Sequence, residues 1–300
     1  MRILHIDTGS EMRGGQHQVL LLLKTLKTMG CEQQLLVRHA GPLAEIARSE
    51  GFPVHIGGLT AGWRLSRSVD IVHAHDARAH LLAALSAARF VVSRRVAFSV
   101  KRTPASRWKY ARAARYLAVS QYVARELASA EIPQVKIDVV YDAVETQASM
   151  PAWDPAAPAV ALASTDPMKG RNLVERAAHV AGVPVVFSNN LALDLRHASM
   201  FVYISQSEGL GSAALLAMSL GIPVVASAVG GLREIVEHQQ TGLLTGNEVR
   251  TIAQGMQRIL EEPDLALNLR SAAFAAVNER FSAERMARDT LVSYGRAIGS

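Results

Sequence analysis

The 300-residue chain has one cysteine, Cys31, which excludes an intrachain disulfide framework and any cysteine-rich metal site, and fits a reducing compartment. Charged residues are sparse at 19% against 49% hydrophobic, so disorder is excluded as the main state. Glycine (21) and proline (11) are too few for a low-complexity tail or a collagen-like repeat. No apolar run approaches the ~20 residues that a membrane-spanning helix needs. Met1 to Asp7 breaks into charge and glycine too early for a signal peptide, which predicts a cytoplasmic protein. At ~100 to 200 residues per domain, the length predicts two domains, each with its own core.

Charge is unevenly distributed. Residues 1–148 hold 20 Lys/Arg against 12 Asp/Glu, whereas residues 149–300 hold 12 against 14, so the net +6 is a basic first half and a slightly acidic second half. From Ala77 to Arg125 there is no acidic residue at all, and Lys101, Arg102, Arg107 and Lys109 lie there with Phe98, Trp108 and Tyr110 among them. Such a stretch suits an anionic partner or surface, or a solvated helical face. Nucleic acid is not expected, because no recognition helix, RNP-type aromatic pattern or zinc module accompanies the charge.

Short β-branched runs alternate with helical patterns through the first half. Strands are predicted at Arg2 to Asp7, Gln34 to Val37, Val54 to Ile56, Ile71 to Ala74, Val96 to Ser99, Tyr116 to Val119 and Ile137 to Val140, with a helix over Gln16 to Met29. Non-alternating strands separated by helices predict a parallel sheet covered on both faces. The proline-rich, aperiodic Ala143 to Pro158 then marks a boundary, giving domains at 1–148 and 159–282, a linker at 149–158, and a terminal helix at 283–300 that packs back toward the first domain. The alternation restarts after the linker, so the fold class is α/β, two doubly wound Rossmann-like domains facing a cleft.

Several motifs stand at predicted strand ends. Gly9 to Gly15 lies between the first strand and the first helix, where Gly14 and Gly15 serve equally as a plain turn or as a loop that lets amides approach a phosphate. Asp70 to Asp76 places His73 and His75 on one side of a strand; two histidines and an aspartate without a distant third ligand are a weak zinc signal, and core-satisfied histidines serve the pattern as well. Ser205 to Ser212 ends a strand with an acid, Glu208, followed by Gly209, Leu210 and Gly211 and a helix. Gly230-Gly231 repeats that strand, glycine turn, helix arrangement, and two such loops suit a nucleotide pocket.

The order of His73-Ala74-His75-Asp76, Ala118-Val119-Ser120, Lys169-Gly170, Glu208-Gly209-Leu210-Gly211, Gly221-Ile222-Pro223 and Gly230-Gly231-Leu232-Arg233-Glu234 resembles retaining glycosyltransferases of the GT-B fold, group 1 or family 4 type. Ser106 to Tyr110 is similar to a subgroup tied to bacterial surface polysaccharide and lipopolysaccharide.

The resemblance implies a hexosyltransferase that moves a sugar with retention from a UDP- or GDP-sugar to a surface-glycan or lipid-linked acceptor. The donor would sit on the C-terminal domain and the acceptor on the N-terminal one. It also implies no cofactor and no metal, and the sequence has no Asp-x-Asp. Glu208 would contact the donor sugar with His75 nearby, as the catalytic pair. Lys169, helped by Arg171, would hold the diphosphate, with Gly14, Gly15, Gly209, Leu210, Gly211, Gly230 and Gly231 around it. Lys101, Arg102, Arg107 and Lys109 would face the acceptor or an anionic membrane, and in the second case the cytoplasmic protein would sit peripherally on the inner face of the cytoplasmic membrane.

Three departures from the family pattern stand out. Leu216 occupies the position of the second acid, Ala163 and Ser164 the position of the diphosphate arginine, and only 38 residues separate Lys169 from Glu208, which predicts a shortened C-terminal domain. These departures also fit an alternative, a GT-B-like binding protein that has lost donor contacts and turnover.

Overall fold

Strand β1 (Arg2–Asp7) buries every side chain after Arg2, as a strand covered on both faces must. In the computed structural model, which describes residues 1–100 and 103–299, it lies near the middle of a seven-stranded sheet. The other strands are β2 (Glu32–Val37), β3 (Val54–Ile56), β4 (Ile71–Ala74), β5 (Phe90–Arg94), β6 (Arg115–Ala118) and β7 (Ile137–Val139). Their order is β3-β2-β1-β4-β5-β6-β7, all parallel. Helices α1 (Gly14–Thr28), α2 (Pro42–Ser49), α3 (Leu59–Ser66), α4 (Ala77–Ala84), α5 (Pro104–Arg112) and α6 (Gln121–Ser129) connect them.

The chain divides into two compact units. Unit 1 is Met1–Asp142 together with the C-terminal residues from Ala283; unit 2 is Ala143–Ser282. Unit 2 has a five-stranded parallel sheet, order β12-β11-β10-β8-β9, from β8 (Ala159–Leu162), β9 (Val185–Ser188), β10 (Phe201–Tyr203), β11 (Val224–Ser227) and β12 (Leu243–Thr245). Its helices are α7 (Arg171–Ala181), α8 (Leu191–Asp194), α9 (Ser212–Ser219), α10 (Leu232–Ile235), α11 (Val249–Glu261) and α12 (Pro263–Arg280). The proline-rich segment is pinned to unit 2: the Trp153 indole donates to Ser199 O at 2.8 Å, and the Arg270 guanidinium lies 4.9 Å above the Trp153 ring while donating to Pro151 O.

The last helix, α13 (Ala283–Gly299), packs on the unit 1 sheet. The hydroxyl of Tyr294, fully buried, lies 2.6 Å from His73 Nδ1, Arg89 donates to Ala297 O, and Ser293 and Arg296 donate to Asp138, which also pairs with Arg115.

One expected strand is misplaced. Sequence pattern puts a strand at Val96 to Ser99, but the sheet uses Phe90–Arg94, whose Phe90, Val91 and Val92 are buried. Val96 and Phe98 are 43% and 69% exposed. Two adjacent arginines, Arg94 and Arg95, end the strand and leave the later apolar residues in the following loop.

Both sheets reverse their winding direction once. In unit 1 the switch falls between β1 and β4, and in unit 2 between β8 and β10. Ligands of open α/β sheets bind beyond the carboxyl ends of strands at such switch points.

Candidate functional site

The two strands flanking the unit 2 switch carry the Lys169 and Glu208 loops. After β8, the Asp166 side chain accepts from Met168 N, and a single 3-10 turn over Pro167–Lys169 leads to Gly170 at φ +61°. A Cβ on Gly170 would stand 2.5 Å from Ile204 Cγ2, so only glycine lets this loop settle on the β10 tip. Met168 O accepts from Gln206 N and from Ser205 Oγ, which joins the two loops.

The result is a half-buried ion pair. Lys169 Nζ lies 2.6 Å from Glu208 Oε2, with side chains 26% and 17% exposed, and Tyr203 Oη donates to the same oxygen at 2.7 Å. Burial, reinforced by the Glu208 charge, holds the Tyr203 phenol well above its ordinary pKa, so it remains a hydrogen-bond donor at neutral pH. The β10, β11 and α11 ends are tied together as well. Ser205 N donates to Ser227 Oγ, Ser227 Oγ donates to Asn247 Oδ1, and Asn247 Nδ2 donates to Ser205 O.

Gly230 and Gly231 have a packing duty. A Cβ on Gly230 would lie 2.1 Å from Glu208 O, one on Gly231 would lie 2.1 Å from Gly209 O, and Gly231 N donates to Glu208 O. The turn after β11 is therefore pressed backbone to backbone against the Glu208 loop. Gly211, at φ +111°, leaves the room that Leu232 Cδ2 fills at the start of α9. Gly209 and Leu210 are buried within the loop.

Arg171 is occupied elsewhere: it pairs with Glu175 at 3.0 Å and stacks 4.3 Å over the Phe187 ring. Leu216 sits half-buried on α9 and offers no polar atom.

In unit 1 the switch brings together the β1 and β4 tips. Asp76 caps α4 through Arg78 N and Ala79 N and also accepts from Thr8 N and Thr8 Oγ1, which ties the glycine loop to β4. Asp7 accepts from Gly9 N and Gln16 Nε2, and burial raises its carboxyl pKa. Gly14 and Gly15 open α1, and a Cβ on Gly15 would meet nothing within 4 Å, so packing does not require glycine there.

His75 is 6% exposed, and its Nε2 is 3.0 Å from His5 Nδ1. His5, His73 and His75 form a buried trio whose ligand-capable atoms lie within 4.8 Å of one another. Both His73 nitrogens are engaged, Nδ1 with Tyr294 and Nε2 with Ser93, so the trio is wired as hydrogen-bond partners. Burial pushes His5 down to about 3 and His73 and His75 well below the ordinary imidazole value.

Of the four cations expected to face an acceptor or anionic surface, Lys101 and Arg102 lie outside the described residues. Arg107 is exposed and 3.8 Å from Glu131; Lys109 is half-buried with its ammonium 5.3 Å from the Tyr110 ring centre, and burial lowers its pKa.

Tyr203, His5 and Asn247 escaped the sequence reading. Tyr203 is an inward position of β10, and His5 becomes visible once β1 is laid in register beside β4, where it pairs with His73. Asn247 lies 39 residues beyond Glu208 and carried no pattern of its own.

Known proteins resemble this chain in sequence and in fold. Residues 185–275 match the family described as glycosyl transferases group 1, and residues 11–148 match glycosyltransferase family 4. A D-inositol 3-phosphate glycosyltransferase of Pseudarthrobacter chlorophenolicus is 37% identical over 121 residues; the match covers 40% of this chain and 28% of that relative's length. Anabaena HepE, solved in complex with UDP and glucose, superposes with a TM-score of 0.86 at 15% identity over 98% of this chain and 99% of HepE. The apo lipopolysaccharide outer core galactosyltransferase WaaB gives 0.75 at 15% identity over 98% and 99%. At such identities the structural likeness is one of fold.

Proposed function

The chain belongs to the GT-B-fold glycosyltransferases related to group 1 and family 4, and from that premise we propose that it moves a hexose with retention from a nucleotide-sugar to a glycan or lipid-linked acceptor. The observation that carries the reading is the Lys169–Glu208–Tyr203 cluster at the unit 2 switch point. A diphosphate needs a cation and a sugar needs acceptors for its hydroxyls. Lys169 and Glu208 are that cation and that acceptor, and without a ligand they neutralise each other.

In the proposed reaction the bond from the sugar C1 to the diphosphate oxygen breaks and a C1 bond to the acceptor oxygen forms on the same face. The acceptor proton passes to the departing phosphate. Lys169 stabilises the growing diphosphate charge, a contribution of ~3 to 4 kcal/mol for one well-placed donor. Glu208, anchored by Tyr203, orients the sugar, and the family resemblance gives His75 of unit 1 the second catalytic role. Gly15, which the fold leaves unencumbered, suits a phosphate approach to the start of α1.

No metal is assigned to this chemistry. Of the UDP- and GDP-sugars, the UDP form is favoured, since HepE, of the same fold, is solved with UDP-glucose as well as with UDP and glucose. Arg107, Lys109 and exposed Trp108 on α5 support peripheral contact with anionic headgroups, at ~1 kcal/mol per cation near the surface. Among the described residues no helix is long and apolar enough to cross a membrane.

Isothermal titration with UDP, GDP and their sugars tests the reading. Binding of a nucleotide-sugar that weakens in Lys169→Ala supports it, and absence of binding to all of them overturns it. Binding without transfer to any glycan or lipid-linked acceptor would instead favour the binding protein that Leu216 suggests.

A further inference from the structure

Among the described residues, Gln33 Oε1, His5 Nε2, His75 Nδ1 and Arg95 Nη1 are buried side-chain atoms with no hydrogen-bond partner. Buried polar atoms are rarely left unpaired. All four belong to one face of the unit 1 sheet. In register, Ile3 stands beside Gln33 and His5 beside His73, which puts Gln33, His5, His73 and His75 on a common side. Ser93, bonded to His73, shares that side, and Arg95 follows it by two residues.

The two ends of this row set its polarity. Gln33 Nε2 donates to Leu23 O at 2.9 Å, so the atom it leaves toward the row is an acceptor. Arg95 has only N–H groups to offer; its Nε is spent on Asp142 at 3.0 Å, and the bare Nη1 is a donor. Between an acceptor at one end and a donor at the other stand two imidazoles joined by one bond, His5 Nδ1 to His75 Nε2.

Only one placement of hydrogens suits both ends. With hydrogen on Nε2 of each ring, His5 points N–H at Gln33, His75 donates to His5, and His75 Nδ1 keeps a lone pair. With hydrogen on Nδ1 of each ring, two acceptors face each other at Gln33 and two donors at Arg95. Charged imidazoles are disfavoured, because burial holds both rings neutral; Gln33 is the one influence that raises His5, and the Arg95 charge is among those that lower His75.

We propose that Gln33, His5, His75 and Arg95 form one polarised chain in which both imidazoles carry hydrogen on Nε2, and that Gln33 and His5 are positioning residues which make His75 a hydrogen-bond acceptor. The role in transfer rests on the reading of the preceding subsection; the chain itself does not. His75 Nδ1, itself buried, then meets Arg95 as an acceptor, which fixes the ring to which the preceding subsection gives a role in transfer.

The test uses the full chain with ring-15N histidine and two-bond 1H–15N correlation at neutral pH, beside kinetics of transfer. His5 and His75, identified by the signals lost in His5→Gln and His75→Gln, are expected to show the Nε2–H pattern. In Gln33→Met, which keeps the volume but removes the acceptor, His5 becomes a mixture of tautomers and kcat falls about tenfold with KM within about twofold. An Nδ1–H or doubly protonated ring at either position in the unaltered protein overturns the chain, and so does a Gln33→Met spectrum that leaves both tautomers unchanged. A moved tautomer with unchanged kcat overturns the positioning role. If the unaltered protein transfers no sugar, the proposed function has failed, while the tautomers still decide the chain by themselves.

Discussion

The two units solve the same folding problem with different interiors. Unit 2 packs around an apolar cluster, from Ala159 and Val174 to Met256 and Leu269, and among the described residues it buries no histidine; its buried cation, Arg270, donates to Gly221 O, and the Lys169–Glu208 pair lies in the loops at the strand tips. Unit 1 buries His5, His73, His75 and His80 inside, with the Arg95–Asp142 pair at the strand ends. An apolar core is indifferent to pH and tolerates volume-conserving changes. A core that contains imidazoles depends on keeping them neutral and correctly paired. The contrast predicts that acid attacks unit 1 and that substitutions in the loops of unit 2 attack activity.

The largest effect should come from acid. The folded-state pKa values of His5 and His80, about 3, lie below the unfolded value near 6.5, and those of His73 and His75 are lower as well. The unfolded chain therefore binds more protons, so stability falls as pH drops below about 6.5. The loss is ~1.4 kcal/mol per histidine per pH unit, or roughly 5 kcal/mol for four of them by about pH 5.5. Asp7 and Asp142, whose carboxyl pKa values are raised by burial, oppose this as pH falls through their raised folded values. Hydrogen exchange at about pH 7 and about pH 5.5 should show unit 1 amides opening while those of β10 and β11 stay protected. Equal opening of both units would erase the contrast.

Next in size is Glu208→Gln. Transfer should fall about a hundredfold, ~3 kcal/mol, with a melting temperature within a few degrees of the unaltered protein. Undiminished transfer would mean that the site lies elsewhere. Gly230→Ala should cost about 2 kcal/mol of stability and weaken nucleotide-sugar binding, since its φ is +49° and the new Cβ meets Glu208 O. Thermal unfolding and titration read the two effects separately.

Tyr203→Phe removes one hydrogen bond to a charged acceptor, worth ~1.5 to 3 kcal/mol, and should lower kcat about tenfold while Lys169 still holds Glu208. A variant as active as the original would make Tyr203 a packing residue. Smallest is Arg171→Ala, whose exposed pair with Glu175 is worth less than ~0.5 kcal/mol. A marked loss of donor affinity on calorimetric titration would show that Arg171 leaves Glu175 and takes over from the arginine absent at Ala163 and Ser164.

How much of this was legible beforehand depended on distance along the chain. Gly9 to Gly15, His75, Lys169 and Glu208 all stand at strand ends, where local pattern marks them. Sequence pattern puts the β5 strand several residues late, because exposed Val96 and Phe98 mimic a strand as well as buried Phe90 to Val92 do. Tyr203, His5 and Asn247 could not be found in the same way, since their partners are met only after the strands are ordered.

By itself the sequence determined the α/β alternation, the basic first half and the acid and lysine of the proposed donor site, because these depend on short-range periodicity and composition. Tertiary structure decided that Lys169 and Glu208 pair across β8 and β10, that Gly230 and Gly231 brace the Glu208 loop, and that His5 stands beside His75. Each of those contacts joins residues separated by dozens of positions. Only the strand order and register of a parallel sheet bring them within hydrogen-bond reach.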